Sequence, residues 1–214
     1  MKKSLLLGAA FAAACTFSLT TGRATAADAG HAFAVHGVGA LTCSGLNATP
    51  AKDAPAMRGL LASWLLGYVT ALNRIQDVTY DATPVQDQYA LVNMVAGVCS
   101  QHPTLPVETV AFAVLQSLEK AKLATASPEV TVKVGKLSTV LRKETLDKLQ
   151  WFLVAEAYLP ASQANGTFGP KTQAALMKFQ TAQKLPATGL PDPATVVRAL
   201  VEMKPSKFEA VGAT

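Results

Sequence analysis

Metal and nucleophile chemistry have little to work with in this chain. Its 214 residues include three histidines and three cysteines. His31 and His36 stand five apart with no further ligand types near them, so no metal site is expected there and a solvated tail is the better reading. No Gly-x-Ser-x-Gly elbow and no His-Glu-x-x-His helix occurs. Charged residues make up only 15% of the chain, and no run of lysine or arginine exists. That removes the basic stripe a nucleic-acid partner would require. Paired carboxylates are scarce too. Glu108 and Glu119 are 11 apart on an expected helix, roughly 16 Å at 1.5 Å per residue, too far for either mode of glycoside hydrolysis. Asp77 and Asp81 flank a helix end and read as solvated caps. The expectation is a non-enzyme with no cofactor.

What is present begins with an export pattern. Lys2 and Lys3 precede an apolar run, Leu5 to Ala14, and the small-x-small triplet Ala24-Thr25-Ala26 follows. The run is shorter than the roughly 20 residues needed to span a bilayer. A signal peptide over 1–26 is therefore expected, cleaved after Ala26 or Ala27, leaving no stable membrane span. A retained anchor is the alternative. Lipidation at Cys15 is a third option, disfavoured because Ala12, Ala13 and Ala14 lack the usual large aliphatic. Loss of Lys2, Lys3 and Arg23 would leave 16 basic against 14 acidic residues. Cys43 and Cys99 then remain, and an even count in an exported chain implies a disulfide. Closing a loop of about 55 residues contributes roughly 4 kcal/mol. A nucleophile or a metal ligand is the other use for a cysteine here.

Hydrophobic spacing then gives helices. Asp53 is placed to cap one, with Pro55 in its first turn. From Met57 to Val78, residues Leu60, Leu61, Trp64, Leu65, Tyr68, Leu72 and Ile75 recur at threes and fours. Thr83-Pro84-Val85-Gln86 reads as a second start, with Tyr89, Val92, Val95 and Cys99 inward and a stop near His102-Pro103. A third helix begins at Thr104-Leu105-Pro106-Val107-Glu108 and runs to about Leu123, with Val107, Val110, Val114, Leu115 and Leu118 inward. Residues 27–123 thus predict a disulfide-bonded helical domain. The pattern fails over 124–140, where Val130, Val132 and Val134 alternate with polar residues around Gly135. A linker with a short extended piece is expected there.

The region 141–202 repeats itself. A helix over Glu144 to Ala157 is followed by the turn cluster Asn165-Gly166-Thr167-Phe168-Gly169-Pro170 and a helix to Phe179-Gln180. A second turn, Leu185-Pro186-Ala187-Thr188-Gly189, leads through Pro191-Asp192-Pro193 to a helix reaching Leu200. Gly166 lies six before Thr172 and Gly189 six before Thr195, an offset of 23 residues. Two such turn-helix units folded on the first helix predict a three-helix domain, with Leu153, Phe168, Leu176, Phe179 and Leu200 in its core. Residues 203–214 read as a flexible tail. The fold class expected is all-α, two small helical domains.

One register carries a resemblance: Leu149-Gln150, Leu153, Tyr158, Asn165-Gly166-x-Phe168-Gly169-Pro170-x-Thr172, Ala175-Leu176, Phe179-Gln180, then Leu185-Pro186-x-Thr188-Gly189-x-x-Asp192-x-x-Thr195. It resembles the peptidoglycan-binding-like domain appended to many cell-wall hydrolases and exported proteins. The resemblance implies peptidoglycan as partner and a periplasmic, wall-associated place. Two positions depart from the family: Asn165 where Asp is usual, and Ala157 where Gly is usual. Ala takes a left-handed helix end less easily, so the first helix is expected to end differently. Gln150, Gly166, Phe168, Gly169, Pro170, Thr172, Phe179, Gln180, Gly189 and Thr195 read as builders of the fold, the two glutamines as bonding loop backbone. Tyr158, Gln163, Asn165 and Thr167, near the turns, are the candidate ligand-binding residues. Farther back, Trp64-Leu65-Leu66-Gly67-Tyr68 with Asn73, then Cys99-x-x-His102-Pro103, resembles small disulfide-bonded helical periplasmic proteins. Acid-stress chaperones of the HdeA kind and immunity proteins against cell-wall amidases are both of that sort. A protein partner, with chaperone or inhibitor action, is thus an alternative function, and a cell-wall hydrolase a second one.

Overall fold

The computed structural model of the chain describes residues 32–203. The expected signal peptide, Cys15, His31 and all of the tail beyond Met203 lie outside them. The described residues from Val35 to Met203 fall in one compact unit. It is mostly helical, with one two-stranded hairpin, in keeping with the all-α expectation.

Four helices build the N-terminal body: α1 (Cys43–Asn47), α2 (Ala54–Ile75), α3 (Gln88–Gln101) and α4 (Val107–Leu118). Their shared core comprises Leu61, Leu65, Val69, Leu72, Leu91, Val92, Val95, Val107, Val110, Leu115 and Leu118. Cys43 and Cys99 are bonded with Cα atoms 4.9 Å apart, tying α1 to the end of α3, and both are fully buried. Backbone bonds reinforce the tie: the Cys43 N–H donates to Leu105 O at 2.8 Å, and Val107 N–H to Leu41 O at 2.9 Å.

Several local expectations need correcting. Leu60 and Ile75 are 61% and 68% exposed. The buried stripe of α2 runs along Leu61, Leu65, Val69 and Leu72, and the outer residues of a wider apolar band fall off its edges. Asp53 stands at the cap of α2 but its side chain makes no capping bond. Thr83 does not start a helix. Its hydroxyl accepts the Val85 N–H in a local turn, and Asp87 caps α3 instead, accepting from the Tyr89 and Ala90 N–H groups. Tyr89 is consequently exposed rather than inward, with the Arg58 guanidinium 5.6 Å over its ring.

The stretch expected as a linker is a β-hairpin, β1 (Glu129–Val134) against β2 (Leu137–Arg142). The alternation of Val130, Val132 and Val134 is the first strand. Gly135, at φ +58°, makes the two-residue turn, a glycine in the first central position of a hairpin. One face packs inward: Val132 and Leu141 cluster with Leu146 and Leu190. Asp81, read as a solvated cap, is buried. It accepts from Gln86 Nε2 at 3.0 Å and pairs with Arg142 at 3.4 Å, pinning the end of β2 to the body. Arg142 also lies over the Tyr80 ring and donates to Ser127 O.

Three helical segments follow: α5 (Lys143–Ala155), α6 (Pro170–Ala182) and α7 (Pro193–Val197), the last prolonged by a π-turn, Arg198–Glu202. Their core holds Leu149, Phe152, Leu153, Leu176, Phe179 and Val196, with Phe152 edge-on to Phe179 at 5.3 Å. Phe168 is half-buried between this cluster and the hairpin cluster. Leu200 contacts both main cores, and Val201 is seated in the first.

Candidate functional site

The C-terminal domain is organised by two buried amides. Gln150, on α5, accepts the Gly166 N–H at 2.8 Å; its Nε2 donates to Thr167 O at 2.9 Å and to the Thr172 hydroxyl at 3.0 Å. Gln180, on α6, accepts the Gly189 N–H at 2.7 Å; its Nε2 donates to Leu190 O and to the Thr195 hydroxyl, both at 2.9 Å. Both side chains are fully buried. Each bonds the loop glycine, the carbonyl of the next residue and the threonine in the third position of the helix that follows. Gly166 and Gly189 adopt φ +72° and +73°, the left-handed region open to glycine at little cost. The 23-residue repeat is therefore two copies of one amide-clamped turn. Buried amides leave no donor or acceptor idle only if the loop backbone meets them, so the clamp dictates loop shape.

The helix ends repeat as well. Ala157 follows α5 at φ +60°, with Tyr158 N–H donating to Leu153 O at 2.8 Å. Lys184 follows α6 at φ +57°, with Leu185 N–H donating to Gln180 O at 2.8 Å. Both are Schellman ends. The first helix thus ends in the way glycine would end it, contrary to the expectation from Ala157. Alanine takes the left-handed turn under strain because the 6→1 bond and the burial of Leu159 hold it there.

The four candidate binding residues separate. Tyr158 is half-buried and edge-on to Phe179 at 5.8 Å, so it serves the core. Gln163 closes a short 3₁₀ turn, Ala161–Gln163, and is half-buried. Asn165 and Thr167 come together at the exposed tip, where Asn165 Oδ1 accepts the Thr167 N–H at 3.0 Å. Asn therefore supplies the local turn that Asp would supply. Gly169 caps α6 without a side chain, and Pro170 occupies its first position.

Trp151, on α5, is 38% exposed. It lies one turn beyond Asp147, whose carboxylate sits against Gly166 and pairs with Lys143 at 3.0 Å. An Asx turn and an ion pair thus border the first clamped loop, with an exposed indole one turn along α5. An aromatic face with convergent polar groups is a surface suited to a saccharide.

Residues 142–198 match the family model described as "Putative peptidoglycan binding domain". The C-terminal part of this chain is a peptidoglycan-binding-like domain. Its matched span starts at the last residue of β2 and covers both clamps of the peptidoglycan-binding-like domain. No curated protein and no solved structure matches the chain. The resemblance read in residues 43–120 gains no support from these comparisons.

In the N-terminal body, Trp64 stacks on Tyr68 at 5.2 Å and its Nε1 donates to His36 O at 3.0 Å. Gly39 lies flat on the indole, where any side chain would collide. The Tyr68 hydroxyl donates to buried Glu108 at 2.9 Å. Burial, this hydrogen bond and the nearby charge hold the phenol protonated well above its usual range. Among the described residues no helix is long and apolar enough to cross a membrane.

Proposed function

We propose that this is an exported, non-catalytic protein that attaches to the cell wall through its C-terminal domain, the N-terminal body serving as an interaction module. The carrying observation is the family match over 142–198, which coincides with the two amide-clamped loops. The Cys43–Cys99 bond supports an oxidising compartment such as the periplasm. The absence of a catalytic motif supports the non-catalytic reading.

Co-sedimentation of the full chain with purified sacculi is the test. The expected result is pelleting at low salt, weakened several-fold by Trp151→Ala or by the pair Asn165→Ala and Thr167→Ala. A chain that stays in the supernatant overturns wall attachment. Zymography on purified wall should leave the gel uncleared, and a cleared band would replace this reading with the hydrolase. A second reading, a chaperone or inhibitor acting on a protein, is favoured by the apolar residues Leu60, Leu66, Ile75, Val78 and Phe112 exposed on the N-terminal body. Recovery of one stoichiometric protein with a chain that ignores sacculi would establish it.

A further inference from the structure

A cleft of about 380 Å³ opens between the outer edge of β2 and the start of α3, within the size of small-molecule sites. Its walls include Leu66 from α2, Gln88 and Tyr89 from α3, and Ser138, Thr139 and Val140 from β2. None of these residues belongs to the two clamped loops.

The register of the hairpin says what this edge offers. Val134 and Leu137 flank a two-residue turn, so they exchange backbone bonds, and so do Val132 with Thr139 and Val130 with Leu141. Ser138 and Val140 fall on the alternate, non-bonded pairs. Their N–H and C=O groups therefore point away from β1, and the sheet has no third strand. No described residue bonds the side-chain amide of Gln88 or the hydroxyls of Ser138 and Thr139. Beside these polar groups stand Leu66, Tyr89 and Val140, each between 41% and 45% exposed.

Unpaired strand-edge groups match one chemistry closely: a secondary amide, which presents one donor and one acceptor just as a neighbouring strand does. Free hydroxyls and a carboxamide match sugar hydroxyls, and a phenol ring beside an aliphatic wall matches a pyranose face. A ligand carrying all three features is an N-acetylated glycan. The strand also runs straight into α5, so any ligand here lies beside a domain of peptidoglycan-binding kind. We propose that this cleft is a second saccharide site, binding the N-acetylated glycan strand of the wall, with the backbone of Val140 receiving the acetamido group. The inference rests on the wall-binding reading above and adds a contribution from outside the matched domain.

The test uses the full chain, calorimetry with a β-1,4-linked tetramer of N-acetylglucosamine, and sacculus pelleting in parallel. Val140→Pro removes the outward N–H and leaves the ladder to β1 intact, as proline on a strand edge allows. It should weaken tetramer binding about tenfold, the worth of one hydrogen bond. Tyr89→Ala, an independent probe of the opposite wall, should do about the same. The fully de-N-acetylated tetramer should bind at least tenfold more weakly than the acetylated one. Tetramer binding that ignores Val140→Pro and Tyr89→Ala overturns the cleft. So does sensitivity of Val140 to a free stem peptide in place of the tetramer. If sacculi pellet the chain but the tetramer does not bind, the cleft proposal fails and wall attachment stands. If neither binds, both fail. Unchanged thermal unfolding of each variant assigns a loss to the site rather than the fold.

Discussion

In the N-terminal body a covalent bond holds the irregular lead-in, with Cys43 fastened to Cys99 across 56 residues. In the C-terminal domain, which has no cysteine from 142 onward, two buried glutamines hold the irregular loops. The two devices act on different states. A disulfide works mainly by limiting the unfolded chain, so it is tolerant of where nearby backbone lies. A buried amide works only in the folded state and fixes each group it touches. The body is thus tied without its surface being specified. The domain's loops are specified atom by atom, which is what the recognition surface proposed at Asn165, Thr167 and Trp151 requires. Stability and loop shape are one quantity in the second region and two in the first.

The largest effect is expected from breaking the covalent device. Cys99→Ser should lower unfolding free energy by about 4 kcal/mol in urea. It should leave the amide resonances of Gly166 and Gly189 in place at low denaturant. Loss of those resonances would show that the body and the clamped loops are not separable, a result to which Val201, seated in the first core, would be the route. Next in size is Gln180→Leu, which leaves the Gly189 N–H, Leu190 O and the Thr195 hydroxyl without their partner. A cost of about 3 kcal/mol follows from leaving buried polar groups unmet. Gln150→Leu should cost less, about 2 kcal/mol, because Thr167 is exposed and water can reach its carbonyl. Equal losses would mean that the two clamps are shielded alike.

The glycines sharpen the same comparison. A methyl on Gly189 would lie 2.7 Å from Gln173 Cγ, 2.9 Å from Met177 Cγ and 3.1 Å from Gln173 O, a backbone atom that cannot move aside. Gly189→Ala should therefore cost about 2 kcal/mol, left-handed strain plus crowding. At Gly166 the obstructing atoms are the ends of the Lys143 and Asp147 side chains, which are partly exposed and can swing away. Gly166→Ala should cost about 1 kcal/mol, the backbone strain alone. Urea midpoints of both variants rank them, and the reverse order would mean that the ion pair over the first loop is rigid.

How much of this could be read from the sequence follows physical range. The Gly–Thr repeat was legible because it is local and because glycine marks left-handed backbone. The pairing of Cys43 with Cys99 was legible because only two cysteines remain beyond the expected leader. The hairpin was half legible: Val130, Val132 and Val134 alternate, but Leu137 to Arg142 carries no comparable alternation and is ordered by partners far away. Arg142 meets Asp81 across 61 residues, and nothing local announces it. Asp81 looked like a surface cap for the same reason. In the candidate site, the turn chemistry legible at Asn165 brings it together with Thr167 at an exposed tip. Tyr158 lies half-buried against Phe179, since aromatics serve core and surface alike, and Trp151 is exposed beside the fully buried Phe152.

The smallest effect addresses the helix ends, where the two halves of the domain are most alike. Ala157 and Lys184 both hold left-handed backbone that L side chains adopt at a cost of roughly 1–2 kcal/mol. Glycine removes that strain but adds freedom to the unfolded chain, worth about half to one kcal/mol. Ala157→Gly should therefore stabilise by up to about 1 kcal/mol, and Lys184→Gly by a similar amount, since both ends make the same 6→1 bond at 2.8 Å. Thermal midpoints measured side by side decide it. A gain at Lys184 with none at Ala157 would mean that α5 ends in a different conformation in solution. Tyr158, whose backbone bond to Leu153 sets its ring against Phe179, would then be free to leave the core, and the exposed surface beside Trp151 would gain a second aromatic residue.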